Sequence, residues 1–512
     1  MSDTNGLPAG WCQTVLGVAV EIHDDLREPV NAEERAKRLG SIPYYGATGQ
    51  VGWINNYLMD GEYVLLAEDG APFFDPHKPK AYRVEGKAWV NNHAHVLRGI
   101  EGVTDNRYLM FSLNRTDYRG YANGTTRLKL TQAAMRRLPI RLAPINEQRR
   151  IVAKIEELFS DLVAGVAALK RIKANLKRYR AAVLKAAVEG RLTEEWRAKH
   201  PKLEPATKLL GRILAERRQK WEEGQFAKFA AADKTPPKGW REKYAEPAGP
   251  DTSGLHELPQ GWCWTTVDTI AFVTKLAGFE YTKYVKYDSD GDLAVIKAEN
   301  AGKHGFKRTD FSRVKSDTVK HLTRSRLHPG DLLMVFVGVG VGQVAKVPSD
   351  QPYFLGPNIA TIKIECSHLL AGFAEHYFRS SLGFGLAMSF AKAVAQPSLS
   401  MGTIRQIPIL IPPLIEQEHI VTEVDRLLSV IAAAEAQVDA NLKRAARLRQ
   451  SILKRAFEGR LVPQDSTDEP ADKLLERIRQ ERAAANGSGA PRTRRRRTSK
   501  HQAEGETHGA AS

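Results

Sequence analysis

Cysteine is nearly missing from this chain: Cys12, Cys263 and Cys366 are its only three, and no Cys-x-x-Cys spacing occurs. An odd, scattered set cannot build a disulfide framework, so the fold must rest on packing. Cys12 and Cys263 each follow a tryptophan, and a packed setting is expected for both. Long apolar runs are missing too, and without roughly eighteen consecutive apolar residues there is no candidate membrane helix. The opening MSDTNGLPAG has neither the basic start nor the apolar core of a signal peptide. A cytoplasmic chain with no membrane partner is expected.

Catalytic motifs are a third absence. No Asn-Pro-Pro-aromatic or Asp-Pro-Pro-Tyr tetrapeptide occurs, Asp75-Pro76-His77 being the nearest approach, so a pocket for a flipped adenine is not expected. Gly338-Val339-Gly340-Val341-Gly342 has the glycine content of a phosphate loop but lacks the Gly-Lys-Ser/Thr ending. The residues after it, Gln343 to Pro348, read as a strand and not as the helix whose N-terminus would hold phosphate. His93 and His95 have no cysteine or carboxylate at ligand spacing, which argues against a metal.

What is present is positive charge. The 512 residues carry 76 Lys and Arg against 59 Asp and Glu, a net charge of +17. The basic residues are spread over both halves of the chain, which suits a polyanion lying along the molecule and gaining free energy from counterion release. The Arg492–Arg497 run sits in a polar stretch and is expected to be a disordered tail with nonspecific nucleic-acid affinity.

A long internal repeat is the second positive feature. Pro139 to Leu192 begins PIRLAPINEQRRIVAKIEELFSDL and ends YRAAVLKAAVEGRL, and Pro408 to Leu461 begins PILIPPLIEQEHIVTEVDRLLSVI and ends LRQSILKRAFEGRL. The two align without a gap at a constant offset of 269, from 147 to 416 and from 192 to 461. Flanking pieces repeat as well: Leu7-Pro8-Ala9-Gly10-Trp11-Cys12 with Leu258-Pro259-Gln260-Gly261-Trp262-Cys263, and Glu204-Pro205-Ala206 with Glu469-Pro470-Ala471. Repetition on this scale marks a duplicated architecture.

Inside each copy apolar residues recur at steps of three or four, from Ile151 and Ile155 through Ile172 and Tyr179 to Val183, and from Ile420 and Val424 through Leu448 to Ile452. That is a coiled-coil seam, opened by Pro144 or Pro413 and closed by Gly190 or Gly459. About 45 residues at ~1.5 Å each give a rod on the order of 65 Å, whose natural partner is the other copy. A pseudo-two-fold relation between the copies requires the helices to run antiparallel. Lys208 to Glu223 reads as a further charged helix, either a partner-docking element or a solvated linker.

Residues 7–137 and 258–406 instead alternate short β-type runs with Gly and Pro turns, for example Tyr63-Val64-Leu65-Leu66-Ala67 and Ala360-Thr361-Ile362-Lys363-Ile364. The expected class is α+β: two globular sheet-and-helix domains separated by two long helices forming an antiparallel coiled coil. The expected boundaries are 1–143, first domain; 144–223, central helical repeat; 224–257, linker; 258–412, second domain; 413–484, C-terminal helical repeat; 485–512, tail.

The chain resembles the specificity subunits of type I restriction-modification systems. The resemblance rests on the twice-present Pro-x-x-x-x-Pro-x-x-Glu-Gln-x-x-Ile-Val and Glu-Gly-Arg-Leu. It rests also on Gly330-Asp331-Leu332-Leu333 and Ala395-Gln396-Pro397-Ser398-Leu399-Ser400 in the second head, and on Tyr44-Tyr45-Gly46 and Asn91-Asn92-His93 in the first. It implies a noncatalytic subunit that reads a split, asymmetric DNA sequence, one half per target-recognition domain, with an unread gap set by the helices. The implied partners are double-stranded DNA, two adenine methyltransferase subunits and two restriction subunits. S-adenosylmethionine, ATP and Mg2+ would act on those subunits, with no cofactor or metal on this chain. By the same resemblance, DNA contacts are expected from Tyr44, Tyr45, Asn91, Asn92 and His93, and from Lys297, Asn300, Arg313, Gln343 and Gln396, polar side chains on turns beside strands. Two other readings stay open: a coiled-coil scaffold with nonspecific DNA contact, and the specificity subunit of a modification system lacking the nuclease.

Overall fold

The computed structural model describes residues 6–366, 368–392 and 397–487, with side chains as far as 481. Gln396 and the Arg492–Arg497 run lie outside the described residues. Two compact units result, one of the residues up to Ala168 with those from Ala440 onward, the other of Leu169–Asp439.

In the first unit, Cys12–Val15 pairs antiparallel with Pro139–Leu142, the strand leading into the first long helix. Between them in sequence lies a six-stranded sheet, ordered Val20–Ile22, Ala94–Gly99, Met59–Ala67, Ala81–Val90, Ile42–Gly46, Gly49–Ile54. Tyr63 to Ala67 is buried throughout, as a continuous apolar run at the centre of a covered sheet should be. Helix Asn106–Arg115 packs on this sheet through Tyr108, Leu109, Phe111 and Leu113.

The second unit repeats the closure: Cys263–Thr266 pairs antiparallel with Pro408–Ile411. Its head is built differently, from two four-stranded sheets. One runs Ala271–Lys275, Ile359–Ile364, Leu332–Val335, Val344–Lys346, and the other Arg313–Val314, Leu293–Ile296, Tyr353–Leu355, Arg326–Leu327. Helix Ala371–Arg379 takes the place that Asn106–Arg115 has in the first unit. The class is α+β.

The long helices are Ile145–Val188 and Leu414–Phe457, 44 residues each. Gly190 and Gly459 close them in the left-handed region at φ 70° and 66°. In the first unit Ile151 and Ile155 share a core with Ile452 and Ala456, the start of one helix against the end of the other. The second unit does the same with Ile420 and Val424 against Val183 and Ala187. There Arg180 bonds Glu435 at 2.8 Å and Lys173 bonds Asp439 at 2.6 Å, a stepping in opposite senses that marks an antiparallel pair. The seam is less complete than its periodicity implies: Ile172, Tyr179 and Leu448 are 46%, 51% and 48% exposed. Periodicity selects a helix face and does not supply a cover for it.

The charged helix expected over Lys208–Glu223 runs further, Ala206–Ala231. Gly224 does not stop it, and the chain beyond folds back, with buried Trp240 stacked on Trp221 at 5.9 Å. Cys12 and Cys263 are half-buried, and burial pushes both thiols up to about 11.

Candidate nucleic-acid interface

The repeated Glu-Gln pair at the start of each long helix is the mounting for each head. Gln148 Oε1 accepts from Asp105 N at 3.0 Å, while its Nε2 donates to the carbonyls of Val103 and Ala143, both at 2.8 Å. Gln417 repeats this, accepting from Leu370 N at 3.0 Å and donating to the His368 and Pro412 carbonyls at 3.2 and 2.9 Å. Asp105 and Leu370 are the N-caps of Asn106–Arg115 and Ala371–Arg379, so one buried amide in each unit pins a head helix to a spacer helix. Two turns further on, Arg107 bonds Glu156 at 3.2 Å, and at the repeat-equivalent position His376 bonds Asp425 at 2.9 Å.

The Glu-Gly-Arg-Leu turns complete the mounting. A Cβ on Gly459 would lie 2.3 Å from Pro8 Cγ, and one on Gly190 2.4 Å from Pro259 Cγ. Beside them Ala471 N donates to the Gly10 carbonyl at 2.9 Å and Ala206 N to that of Gly261 at 2.8 Å. Each Leu-Pro-x-Gly-Trp turn is thus seated on a helix end by the same contacts.

On this mounting the first head gathers four of its five expected contact residues at one end of its sheet. Asn91 N donates to the Tyr45 carbonyl at 3.1 Å, and Asn91 Oδ1 accepts from His93 N at 2.9 Å. His93 Nδ1 lies 3.0 Å from Asp69, whose carboxylate also takes Arg127 Nη2 at 2.7 Å. Asn92 is exposed, Tyr45 and His93 partly so, and Asn91 is buried. Tyr44 is separate: it is 1% exposed, and its hydroxyl both donates to and accepts from the Val30 backbone.

The second head divides its expected residues into two groups. Lys297 Nζ donates to Ser312 Oγ at 2.9 Å, and Arg313 donates to Gln351 Oε1 at 2.8 Å beside a shallow cavity of about 300 Å³ lined by Tyr287, Asp288 and Phe311. The Lys315 ammonium holds the Asp288 carboxyl below its usual range. Asn300 is buried in this group. Its amide donates to the Lys307 carbonyl and Thr309 Oγ1, and its Oδ1 accepts from Lys297 N at 2.8 Å. Gln343 belongs elsewhere, at the foot of the Gly338–Gly342 loop, where Val337 bridges to Ser398. Gln396 lies outside the described residues.

Two heads of different sheet order are fixed to duplicated helices by one set of contacts. The family described as type I restriction modification DNA specificity domain matches residues 28–174 and 280–444, once in each half. The chain belongs to this family of specificity subunits. The type I restriction enzyme EcoDI specificity subunit of Escherichia coli is 25% identical over 502 residues, covering 95% of this chain and 98% of that one. The EcoKI specificity subunit of Escherichia coli K12 is 26% identical over 399 residues, covering 74% and 72%. A solved chain from work on the assembly and conformational transition of the type I R-M system matches at TM-score 0.56 and 16% identity, over 89% of this chain and 99% of that one, and shows the fold. Among the described residues of this specificity subunit no helix is long and apolar enough to cross a membrane. No group of three His, Cys, Asp or Glu among them could hold a metal.

Several exposed side chains of the specificity subunit escape a motif-based reading. Trp53 is 55% exposed on the edge strand Gly49–Ile54, while Arg35 lies over the Tyr44 ring and Arg38 over Trp89. Arg127 reaches the His93 cluster from a loop distant in sequence.

Proposed function

We propose that this specificity subunit reads a bipartite, asymmetric DNA target, one half per head, and docks adenine methyltransferase and restriction subunits that carry the chemistry with S-adenosylmethionine, ATP and Mg2+. The observation that carries the proposal is the duplicated mounting. Gln148 and Gln417 hold their heads by equivalent hydrogen bonds while the sheets they hold differ, as expected when the frame is constant and the specificity varies. The net charge of +17 supports a polyanionic ligand.

In this reading 1–143 and 258–412 are the recognition domains, 144–231 and 413–484 the spacer and docking repeats, and 232–257 the linker, the helix Ala206–Ala231 moving that boundary from 223. The contact residues are Tyr45, Asn92 and His93 in the first head and Lys297, Arg313, Gln343 and Gln396 in the second. Tyr44, Asn91 and Asn300 act by fixing the backbone that presents them.

Mapping N6-methyladenine in the host genome with and without this chain tests the proposal. A split motif should vanish on deletion. Replacing residues 258–406 with a relative's second head should then change one half of the motif and leave the other intact. Loss of no motif, or change in both halves, would overturn it.

A further inference from the structure

The glycine-rich segment Gly338–Gly342, unsuited to phosphate, presents one apolar side chain with no partner. Val339 is 105% exposed, more than any other large apolar residue described. It is held in place nonetheless. Val341 N donates to the Gly338 carbonyl at 3.2 Å, Gln343 N to Gly340 at 3.0 Å, and Gly342 N to Val335 at 2.9 Å. From the other side Leu399 N donates to the Phe336 carbonyl at 2.8 Å, and Val337 bridges to Ser398.

The loop is packed at its base and bare at its tip. A Cβ on Gly342, at φ 80°, would meet Met388 Sδ at 2.9 Å and Phe384 at 3.0 Å, whereas one on Gly338, at φ 99°, would meet nothing within 4 Å. Two exposed cations stand beside the base: Lys275 Nζ is 5.0 Å from the Phe336 ring, and Lys392 bridges to Ser398. A thin apolar tip with lysines beside its base matches a DNA groove, with the ammonium groups at phosphates and the methyls against a base edge.

We propose that Val339 reads the 5-methyl group of a thymine in the major groove of the half-target assigned to the second head, an inference that rests on the DNA-reading function proposed above. Valine suits a methyl contact better than a wedge. Its side chain ends at Cγ, too short to separate stacked bases, a task for longer side chains such as Phe, Leu, Ile or Met.

The test uses the full chain with the subunits that copurify with it. Bound duplexes are selected from a random pool, and the selected duplex is remade with uracil for thymine at one position at a time. Wild type should select thymine at a position where uracil weakens binding roughly fourfold, the effect of one lost methyl contact. Val339→Ala should bind thymine and uracil alike there, and Val339→Thr, which keeps one methyl, should retain part of the preference. Specific binding by wild type with the same motif and affinity for Val339→Ala, or with indifference to uracil at every thymine, overturns this assignment alone. Selection of no motif by wild type overturns the DNA-reading function, and this inference with it.

Discussion

Glu147 and Glu416 occupy the same place in the repeat, are equally buried and have opposite surroundings. Glu416 accepts from Trp262 Nε1 at 2.9 Å, Thr193 Oγ1 at 2.7 Å and Arg197 Nη1 at 2.6 Å. The positions matching Thr193 and Arg197 hold Val462 and Ser466, so Glu147 has neither partner. Trp11 approaches without closing a hydrogen bond, and both carboxyl oxygens of Glu147 are left without one. Burial therefore pushes the Glu147 carboxyl above its ordinary 4.5, with the Trp11 indole and Arg150 opposing. A raised folded-state pKa means that the folded chain holds this proton more firmly. The stability it contributes is full below about pH 4.5 and falls as pH rises through the raised value. Glu147→Gln should raise the unfolding free energy at pH 7 by about 1 kcal/mol and flatten that slope. Glu416→Gln should lower it by about 3 kcal/mol by stranding Arg197. Urea unfolding of the full chain at pH 5 and 7 checks both, and equal effects of the two substitutions would show that the surroundings do not matter. The repeat made these two residues look interchangeable. Their difference lies in partners 154 to 223 positions from Glu416, beyond the reach of any local pattern.

At the scale of elements, what was legible was what is local. Pro144, Pro413, Gly190 and Gly459 announce helix ends because caps are made by neighbouring backbone, and the ends fall where those residues stand. The sheet runs were recognisable for the same reason, but strand order was not, since pairing Ile42–Gly46 with Ala81–Val90 is a long-range event. Nor could Tyr44 and Asn300 be told from exposed turn residues: a polar side chain beside a strand looks the same whether it faces solvent or its own backbone. The Glu-Gln signature was visible as a repeat while its work was hidden. Gln417→Ala should free Leu370 N and the His368 and Pro412 carbonyls, costing about 2 kcal/mol. Hydrogen exchange should then quicken across Ala371–Arg379 and leave Asn106–Arg115 unchanged, and Gln148→Ala should reverse the pattern. Quickening of both helices by either substitution would mean that the two mountings are not independent.

For the whole molecule, the constant quantity is helix length. Both spacer helices are 44 residues long although the heads differ in sheet number and order. Equal length in unlike company is expected if spacing is itself read. Seven residues added to an α-helix advance it by about 10.5 Å and rotate its far end by only about 20° from whole turns, so the apolar seam stays in phase. At ~3.4 Å per base pair that advance corresponds to about three base pairs of unread gap. Inserting one heptad within residues 151–185 and a matching heptad in the other long helix should lengthen the gap of the methylated motif by about three base pairs while both half-sequences stay the same. Removing a heptad from each should shorten it. The duplex also turns by roughly a third of a revolution over that distance, so affinity should fall in both variants as DNA is twisted to keep both faces in register. A gap of unchanged length in either variant would show that the helices do not set it, and changed half-sequences would show that the heads are not independent of their spacing.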